Sequence, residues 1–526
     1  MRGRIRLGIF LPLVLSASSC GDVEPPPESS PWLITWDETN GPAFEDGVFR
    51  AHRIRDGKVE HVLLETAKSF GSWSPSGEWL AYRTQLPNGS RGVSIQRFDG
   101  DRWYEPQPLE LFGPEAASVS SYEWSPTSDL LLYSTYSINS SSGSIEGAVA
   151  VAMPRADGAI ATTVLEPSDS LQALWAPSGD RILLGSKRIV DVPTGTQLDG
   201  PWPSRELAPP AGMVFDPLRI PSDAVALADG TFSTDGRWIN FVLKREDTGS
   251  RVLYAFSTTG DEPPRGFESC PLAPEDAGGG CWPHSWLWSG ATLFAHRPEG
   301  DAYTLEAWSP ATGARSNLGN VAIRSELGRG SSRVLTRDRS SDRTAVVDLR
   351  DVASPEFIDV PTTDQPSFFG TGESPDGRWL LLMHQDELQG WFDVVDLRAP
   401  PPWQAREIYR IDGAIKHRSL GWSPGGSFII IRQPAEPDEP ARISRIDVET
   451  GNQGTFEDIP PRELPDGTMY PWVWETKIAY DDRTAVIDRD GTLAIWRMDR
   501  PRESATILEG VPASVIVTWV PDRRRK

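Results

Sequence analysis

A chain of 526 residues exceeds the usual size of one compact domain, so it must divide into several domains or extend one architecture by repetition. Its 47 glycines and 47 prolines recur along the whole length and interrupt the backbone too often for long helices, which favours an all-β fold. The formal charge of -22 repels phosphate backbones, and we therefore expect no nucleic-acid partner.

The N-terminal leader consists of a cationic start, an apolar stretch from Leu7 to Leu15 and small residues that end at Cys20. This order predicts a secretory signal peptide over residues 1–19, because the apolar stretch is too short to span a bilayer stably. The residues from Ala17 to Cys20 resemble the lipobox of bacterial lipoproteins. The resemblance implies that Cys20 is lipidated, with acyl groups such as palmitate, and becomes the new N-terminus. Ordinary secretion without a lipid is the alternative.

The segment after the leader, residues 20–31, is polar and Pro-rich, which predicts an extended tether between a membrane and a folded body at residues 32–520. The chain ends in a basic tail, residues 521–526. We expect a solvated tail, with contact to an anionic surface as the alternative. These features predict a bacterial envelope protein that is lipid-anchored and faces the periplasm or the cell surface.

Two further cysteines, Cys270 and Cys281, flank the loop-like segment PLAPEDAGGG. We expect them to form a disulfide, because export brings the chain into an oxidising compartment, and a pair of free thiols is the alternative. Two thiols with only His284 nearby do not complete a zinc shell, so the sequence predicts no metal site.

One unit, Trp-Ser-Pro followed by a turn and an apolar run, recurs along the chain. Trp73, Trp124 and Trp175 follow one another at a spacing of 51 residues. Further copies contain Phe232, Trp288, Glu373, Trp422 and Trp474, and a weak one begins at Gly328. Proline, aspartate and glycine in the turn favour a chain reversal, so each unit predicts strand, turn, strand. Two more strands complete a four-stranded sheet of roughly 50 residues, which is the period of a β-propeller blade.

The two chain ends complement each other. The segments from Trp32 and from Gly47 predict strands two to four of a blade, and SVIVTWVPD from Ser514 predicts a first strand. Pairing between them predicts one large ring of eight or more blades, closed by the N- and C-terminal strands. The long Pro-rich stretch from Gly200 to Asp229 is the expected insertion, or the hinge if there are two rings.

The W-S-P-D-G-x-W-L-x-Y units, for example at Trp73 and Trp422, resemble the repeat of TolB-like β-propellers, which are related in architecture to WD-repeat proteins. The resemblance covers nearly all of the chain after Trp32. It implies the propeller fold and little about function. TolB carries a separate N-terminal α/β domain that we do not expect in this chain, so a role in the Tol envelope complex is not implied.

Several motifs that could carry chemistry have a simpler structural interpretation. The G-x-S-x-G match from Gly421 to Gly425 leads into a strand, whereas a hydrolase nucleophile elbow must lead into a helix. The turn from Asp488 to Gly491 fits a hairpin better than a calcium loop. The repeat tryptophans are expected in the core, and a surface site is the alternative for three of them, Trp282, Trp286 and Trp288. We therefore predict no catalytic residues and no cofactor, and the ligand-binding residues remain unassigned.

These observations predict a membrane-anchored extracytoplasmic binding or scaffold protein that presents its propeller to a protein or peptide partner, and not an enzyme. The alternative is a propeller enzyme of the glycoside hydrolase or lyase type, with an active site in the central channel. Convergent carboxylate, arginine and histidine side chains at the channel mouth would favour the enzyme, and a broad patch without them would favour binding.

Overall fold

A computed structural model describes most of the chain between residues 32 and 519. The described ranges are 32–37, 47–55, 58–67, 71–86, 88–99, 102–112, 117–138, 145–155, 157–167, 173–185, 187–193, 201–215, 230–272, 286–299, 302–327, 333–338, 344–360, 371–385, 389–412, 419–433, 441–459, 462–463, 469–470, 476–478, 484–489, 492–498, 506–507 and 517–519. These ranges contain strands and turns and no α-helix, which confirms the all-β prediction.

Ten antiparallel sheets of four or five strands follow one another in the described ranges, and we number them as blades 1 to 10. Blade 1 begins with β1 (Trp32–Asp37), β2 (Gly47–Arg55) and β3 (Lys58–Ala67). Blade 2 consists of β4 (Ser72–Trp73), β5 (Trp79–Gln85), β6 (Arg91–Arg97) and β7 (Gln107–Pro108). Blade 3 consists of β8 (Ser118–Trp124), β9 (Leu131–Ile138), β10 (Ile145–Pro154) and β11 (Ile160–Pro167). Blade 4 consists of β12 (Ala173–Trp175), β13 (Arg181–Leu184), β14 (Arg188–Asp191) and β15 (Ser204–Glu206).

Blade 5 has an additional strand. It consists of β16 (Met213–Phe215), β17 (Gly230–Phe232), β18 (Trp238–Arg245), β19 (Arg251–Ser257) and β20 (Arg265–Leu272). Blade 6 consists of β21 (Trp286–Ser289), β22 (Thr292–Glu299), β23 (Ala302–Trp308) and β24 (Arg315–Asn317). Blade 7 consists of β25 (Val321–Glu326), β26 (Arg333–Asp338), β27 (Thr344–Asp348) and β28 (Glu356–Asp359).

The last three blades keep the same four-stranded order. Blade 8 consists of β29 (Thr371–Glu373), β30 (Trp379–Gln385), β31 (Gln389–Asp396) and β32 (Ala405–Asp412). Blade 9 consists of β33 (Ser419–Trp422), β34 (Phe428–Gln433), β35 (Ala441–Asp447) and β36 (Gln453–Ile459). A short ribbon of β37 (Arg462–Glu463) and β38 (Met469–Tyr470) precedes blade 10, which consists of β39 (Thr476–Ile478), β40 (Thr484–Arg489), β41 (Thr492–Arg497) and β42 (Thr506–Ile507). This succession of four-stranded antiparallel sheets is the architecture of a multi-blade β-propeller.

The two chain ends share one sheet. The final strand, β43 (Val517–Trp519), pairs antiparallel with β1 and places Trp519 opposite Leu33. The sheet order β3-β2-β1-β43 confirms that the N-terminal segments supply strands two to four of blade 1 and that the C-terminal segment supplies its first strand. Closure of all blades into one ring stays a prediction.

Ser374 shows how the repeat sequence builds its turn. Its Oγ donates a hydrogen bond to Oδ1 of Asp376 at 2.6 Å and accepts one from the backbone N–H of Trp379 at 2.9 Å. Gly377 has φ +69°, a left-handed conformation in which a side chain would be strained. The same hydroxyl bridge recurs in blade 5 around Ser233. The Ser-x-Asp-Gly sequence therefore fixes the hairpin between the first two strands of a blade.

The repeat tryptophans connect neighbouring blades. Four indole N–H groups donate to a backbone carbonyl in the first strand of the preceding blade: Trp124 to Ser72 at 2.8 Å, Trp175 to Glu123 at 3.2 Å, Trp288 to Thr231 at 3.2 Å and Trp422 to Gly372 at 3.3 Å. The prediction of core tryptophans is confirmed for Trp124 and Trp175, which are 7% and 6% exposed. Trp288 is also buried, so the surface site considered for it is wrong. Its indole fills the core between blades 5 and 6.

Two uncertain segments of the sequence contribute strands to the blades. The stretch expected as an insertion, Gly200 to Asp229, supplies β15 to blade 4 and β16 to blade 5, and its residues 216–229 lie outside the described ranges. The weak repeat from Gly328 contains β26, the second strand of blade 7. The weak copy was therefore a true blade, and its pattern is faint because the turn before it has lost the Ser-Pro-Asp sequence.

Candidate functional site

A hairpin in blade 8 brings together polar residues that the sequence pattern alone did not single out. In the ladder between β30 and β31, His384 lies opposite Trp391, and Leu382 lies opposite Asp393. Side chains alternate along a strand, so His384 and Asp393 share one face of the sheet. Leu382, on the same face, packs in a cluster with Leu335 of blade 7. The pair therefore lies on the side of blade 8 that faces blade 7.

The imidazole of His384 is fully buried. Its Nε2 lies 3.0 Å from Oδ2 of Asp393, and its ring stacks on Trp391 with centroids 5.2 Å apart and planes 8° from parallel. Within the described residues, neither ring nitrogen makes a hydrogen bond of good geometry. An imidazole enclosed in this way cannot reach a substrate. The buried pair of His384 and Asp393 therefore affects the packing between blades 7 and 8.

The same stack extends outward to the edge of blade 8. The guanidinium of Arg410 lies over the ring of Trp391, 5.3 Å from its centroid. It forms an ion pair with Glu407, with Nε of Arg410 2.9 Å from Oε1 of Glu407. Both of these side chains are more than two-fifths exposed, and such surface pairs contribute little to stability. Polar groups therefore run from the solvent edge of the blade to a fully buried histidine.

A second candidate site lies on the first strand of blade 3, and its central residue is Glu123. The backbone carbonyl of Glu123 accepts the indole N–H of Trp175, and its ladder partner is Leu132. The side chain is exposed to solvent, and yet burial raises the pKa of its carboxyl above the ordinary value. Both observations hold if the carboxyl lies in a concave surface, where water reaches it but protein atoms surround it. Perturbed carboxyls in concave surfaces are typical of binding and active sites.

The neighbours of Glu123 on β8 are polar as well. Ser121 is exposed and lies two residues away on the same strand. On the side towards blade 2, the guanidinium of Arg83 lies 6.0 Å from the centroid of the Tyr122 ring, and its Nη2 donates to the carbonyl of Ser120 at 3.0 Å. The first strand of blade 3 therefore presents a carboxylate and hydroxyl groups, and the guanidinium of Arg83 from blade 2 is hydrogen-bonded beside them.

Asp348 of blade 7 is the centre of a buried ionic cluster with two arginines, and the role of this cluster is structural. Its carboxylate is 2% exposed and lies 3.1 Å from Nε of Arg333 and 3.0 Å from Nε of Arg350. Burial by itself would raise the pKa of Asp348. The hydrogen bonds from the backbone N–H of Arg350 and from both guanidinium groups outweigh this effect and hold the pKa below its ordinary value.

The residues predicted from sequence as modification sites fall largely outside the described ranges. Cys20 and Cys281 are not in these ranges, and Cys270 is described by its backbone, within β20. The lipid and the disulfide therefore stay predictions, as do the leader, the tether and the basic tail.

The rejected hydrolase motif behaves as the sequence indicates. Gly421 and Trp422 end β33, and the chain turns into β34 rather than into a helix. The hydroxyl of Ser423 is buried and accepts the backbone N–H of Phe428 at 3.3 Å. Among the described residues, no three His, Cys, Asp or Glu side chains gather closely enough to hold a metal ion. Nor does this part of the chain contain a helix that is long and apolar enough to cross a membrane.

The sequence did contain signals for the residues that were missed. His384 and Asp393 are polar residues inside the apolar strands WLLLMHQ and GWFDVVD, and hairpin pairing across the short connection places them on one face. Glu123 immediately precedes a repeat tryptophan, so it lies on a first strand. No sequence pattern could indicate that the pKa of the Glu123 carboxyl is raised by burial.

Comparison with known proteins identifies no family for this chain. No protein-family model and no curated protein matches the chain. Among solved structures, a eukaryotic initiation factor is 11% identical with a TM-score of 0.46, and the match covers 94% of this chain and 99% of that one. Dipeptidyl peptidase 4 of Porphyromonas gingivalis is 9% identical with a TM-score of 0.40, over 85% and 63% of the two chains. A periplasmic gluconolactonase of Pseudomonas aeruginosa is 16% identical with a TM-score of 0.25, over 81% and 95%.

Proposed function

We propose that this chain is a bacterial envelope lipoprotein, anchored to a membrane through Cys20, whose TolB-like β-propeller binds a protein or peptide partner outside the cytoplasm. The leader and its small residues before Cys20 support the export and the anchor. The tether at residues 20–31 would let the propeller stand away from the membrane surface.

The observation that carries the binding proposal is the exposed carboxyl of Glu123 on the first strand of blade 3, which lies close enough to surrounding protein atoms for its pKa to be raised. A carboxylate beside the exposed hydroxyl of Ser121 favours a ligand that offers cationic and hydrogen-bonding groups. The overall charge of -22 adds long-range attraction for such a ligand. The partner that fits this chemistry is a segment of polypeptide that carries lysine or arginine.

The anchor is tested by detergent-phase partition of the full-length protein expressed in a Gram-negative host. We expect the wild-type chain to partition with the detergent and to label with radioactive palmitate. Cys20→Ser should move the protein to the aqueous phase and abolish labelling, because the thiol is the acceptor of the lipid. Ser19→Ala, which keeps the thiol, is the matched control. Detergent partition that survives in Cys20→Ser would exclude the lipid anchor.

The binding site is tested with fluorescent peptides of alternating lysine and glycine, and with glutamate and glycine peptides of equal length. We expect the lysine peptide to bind, and Glu123→Gln to weaken its binding about ten-fold by removing one charge-assisted contact, about 1.4 kcal/mol. Glu356→Gln removes an exposed carboxylate from β28 and should leave the affinity unchanged. Equal affinity for both peptides, or equal loss in both variants, would contradict this site.

The enzyme alternative is supported by one observation, the raised pKa of Glu123. A carboxyl whose pKa is raised holds its proton to a higher pH than an ordinary carboxyl, which favours a role as general acid in glycoside cleavage together with a second carboxylate about 5 to 10 Å away. A panel of nitrophenyl glycosides and acidic polysaccharides separates the two functions. Turnover that Glu123→Gln abolishes and Glu356→Gln retains would replace the binding proposal with the enzyme. Absence of turnover across the panel would reject the glycosidase and lyase alternative.

A further inference from the structure

The outer strand of blade 3 has an unusually long uncharged run. In the sheet order β11-β10-β9-β8, β11 lies at the outer edge of the blade. Its first six residues, from Ile160 to Leu165, contain no acidic or basic side chain. No other described outer strand has more than four such residues in succession. Proteins commonly place charges on edge strands to prevent pairing with another chain. The edge of β11 lacks this protection.

Alternate backbone groups of β11 point away from the sheet. The N–H of Arg155 donates to the carbonyl of Ala159 at 2.8 Å, in the hairpin between β10 and β11. Hydrogen-bonded and non-hydrogen-bonded pairs alternate along an antiparallel ladder, so the next residue, Ile160, directs its N–H and carbonyl outward. The ladder is regular as far as Val164, and the same alternation makes the backbone groups of Thr162 and Val164 point outward. This segment can therefore hydrogen-bond to one further strand.

The same edge exposes an apolar side chain, because Val164 is 41% exposed. Among the described outer strands, β28 also carries an exposed large apolar residue, Phe357, which is 48% exposed. Two copies that paired through β28 would bring carboxylates together, since Glu356 and Asp359 flank Phe357. Pairing through β11 carries no such penalty.

The register and the charge of this segment favour a second copy of the chain as its occupant. Antiparallel pairing about a two-fold axis at Thr162 places Thr162 opposite the same residue of the second copy, and Ile160 opposite Val164. All of these side chains are β-branched, and such cross-strand pairs stabilise antiparallel sheets. The net charge of -22 opposes association through charged surfaces, whereas this segment brings no like charges together. A cationic peptide would find no carboxylate within the segment.

We propose that the chain forms a symmetric dimer through the outer edge of blade 3, by antiparallel pairing of residues 160–164 with the same residues of a second copy. The two copies of blade 3 then form one continuous sheet, with four strands from each copy. Glu123 lies on β8, at the opposite edge of the blade, so the dimer leaves the proposed partner site open. The dimer does not depend on the proposed function.

Sedimentation equilibrium of the full-length protein, in a solvent that matches the density of the detergent, tests the dimer. We expect a dissociation constant on the order of 10 μM, because pairing of one short strand buries a small area. Val164→Pro should raise this constant at least about ten-fold, since it removes an outward N–H and its ring obstructs the edge. The N–H of Val164 points away from β10, so the substitution removes no hydrogen bond from the blade.

Val164→Lys is a second variant, which adds a cation to the edge and should weaken the dimer to a similar extent. Its matched control is Val214→Lys on β16 of blade 5, because Val214 is 40% exposed and the added charge is the same. This control should dimerise like the wild type.

Three results would overturn the proposal. The first is a wild-type protein that stays monomeric up to about 100 μM, which would leave the edge to a strand of another polypeptide. The second is a dimer that keeps its affinity in both Val164 variants, as two lipid anchors in a shared micelle would produce. The third is an equal loss of affinity in Val214→Lys.

Discussion

Replacing Trp124 by phenylalanine isolates the contribution of one indole hydrogen bond between blades. The substitution leaves the Ser72 carbonyl without its donor at 2.8 Å, which costs about 1 to 2 kcal/mol. The smaller ring also removes roughly two buried carbon atoms besides the nitrogen, worth about 1.6 kcal/mol at ~0.8 kcal/mol per methylene-sized group. The total loss in the free energy of unfolding is therefore about 2 to 4 kcal/mol.

Trp202→Phe is the matched control for this substitution. Trp202 is 8% exposed, against 7% for Trp124, and its indole nitrogen forms no hydrogen bond within the described part of the chain. Urea unfolding followed by far-UV circular dichroism should show Trp124→Phe to be less stable than Trp202→Phe by about 1 to 2 kcal/mol, the share of the hydrogen bond. Equal losses in the two variants would refute the view that indole bonds join the blades.

Two further predictions concern the turn and the ionic cluster. Ser374→Ala removes the hydroxyl that bridges Asp376 and the backbone of Trp379, so we expect a loss of about 1 to 2 kcal/mol in urea unfolding, and no loss would contradict the bridge. Asp348→Asn should lower stability by about 1 to 2 kcal/mol at neutral pH, since both guanidinium partners are partly exposed and their attraction is screened. The folded pKa of Asp348 lies below the unfolded value of about 3.9, so its contribution is present above that pH and is lost as the pH falls through the folded pKa. Unfolding curves should therefore converge for the wild type and Asp348→Asn in acid, and a constant difference down to low pH would contradict the assignment.

The blade architecture was accessible from sequence because the residues that make the turn are the residues that recur. Serine, aspartate and glycine hold the reversal through specific hydrogen bonds and a left-handed backbone, as at Ser374 and Gly377. Blade 7 forms the same hairpin without this sequence, which is why its copy of the repeat was faint. The pairing of β1 with β43 was equally accessible, because each end carries only part of a four-stranded unit.

The candidate sites were less accessible for a physical reason. The burial of His384 depends on how blades 7 and 8 pack, and the raised pKa of Glu123 depends on its burial by surrounding protein atoms. Neither property has a local sequence signature. The alternative of a surface site at Trp288 was wrong for the same reason, since its irregular sequence context gave no sign that the indole bonds to Thr231 and Asn240 in the core.

The pairing of the two chain ends is tested most directly by ending the chain after Gly510, which removes β43 and leaves the edge of β1 unpaired. If the terminal strands hold the propeller together, thermal unfolding of the shortened protein should begin at a lower temperature, and amide exchange should rise in the blades next to blade 1. A shortened chain that unfolds at the wild-type temperature, with unchanged exchange in β5 and β40, would contradict the account.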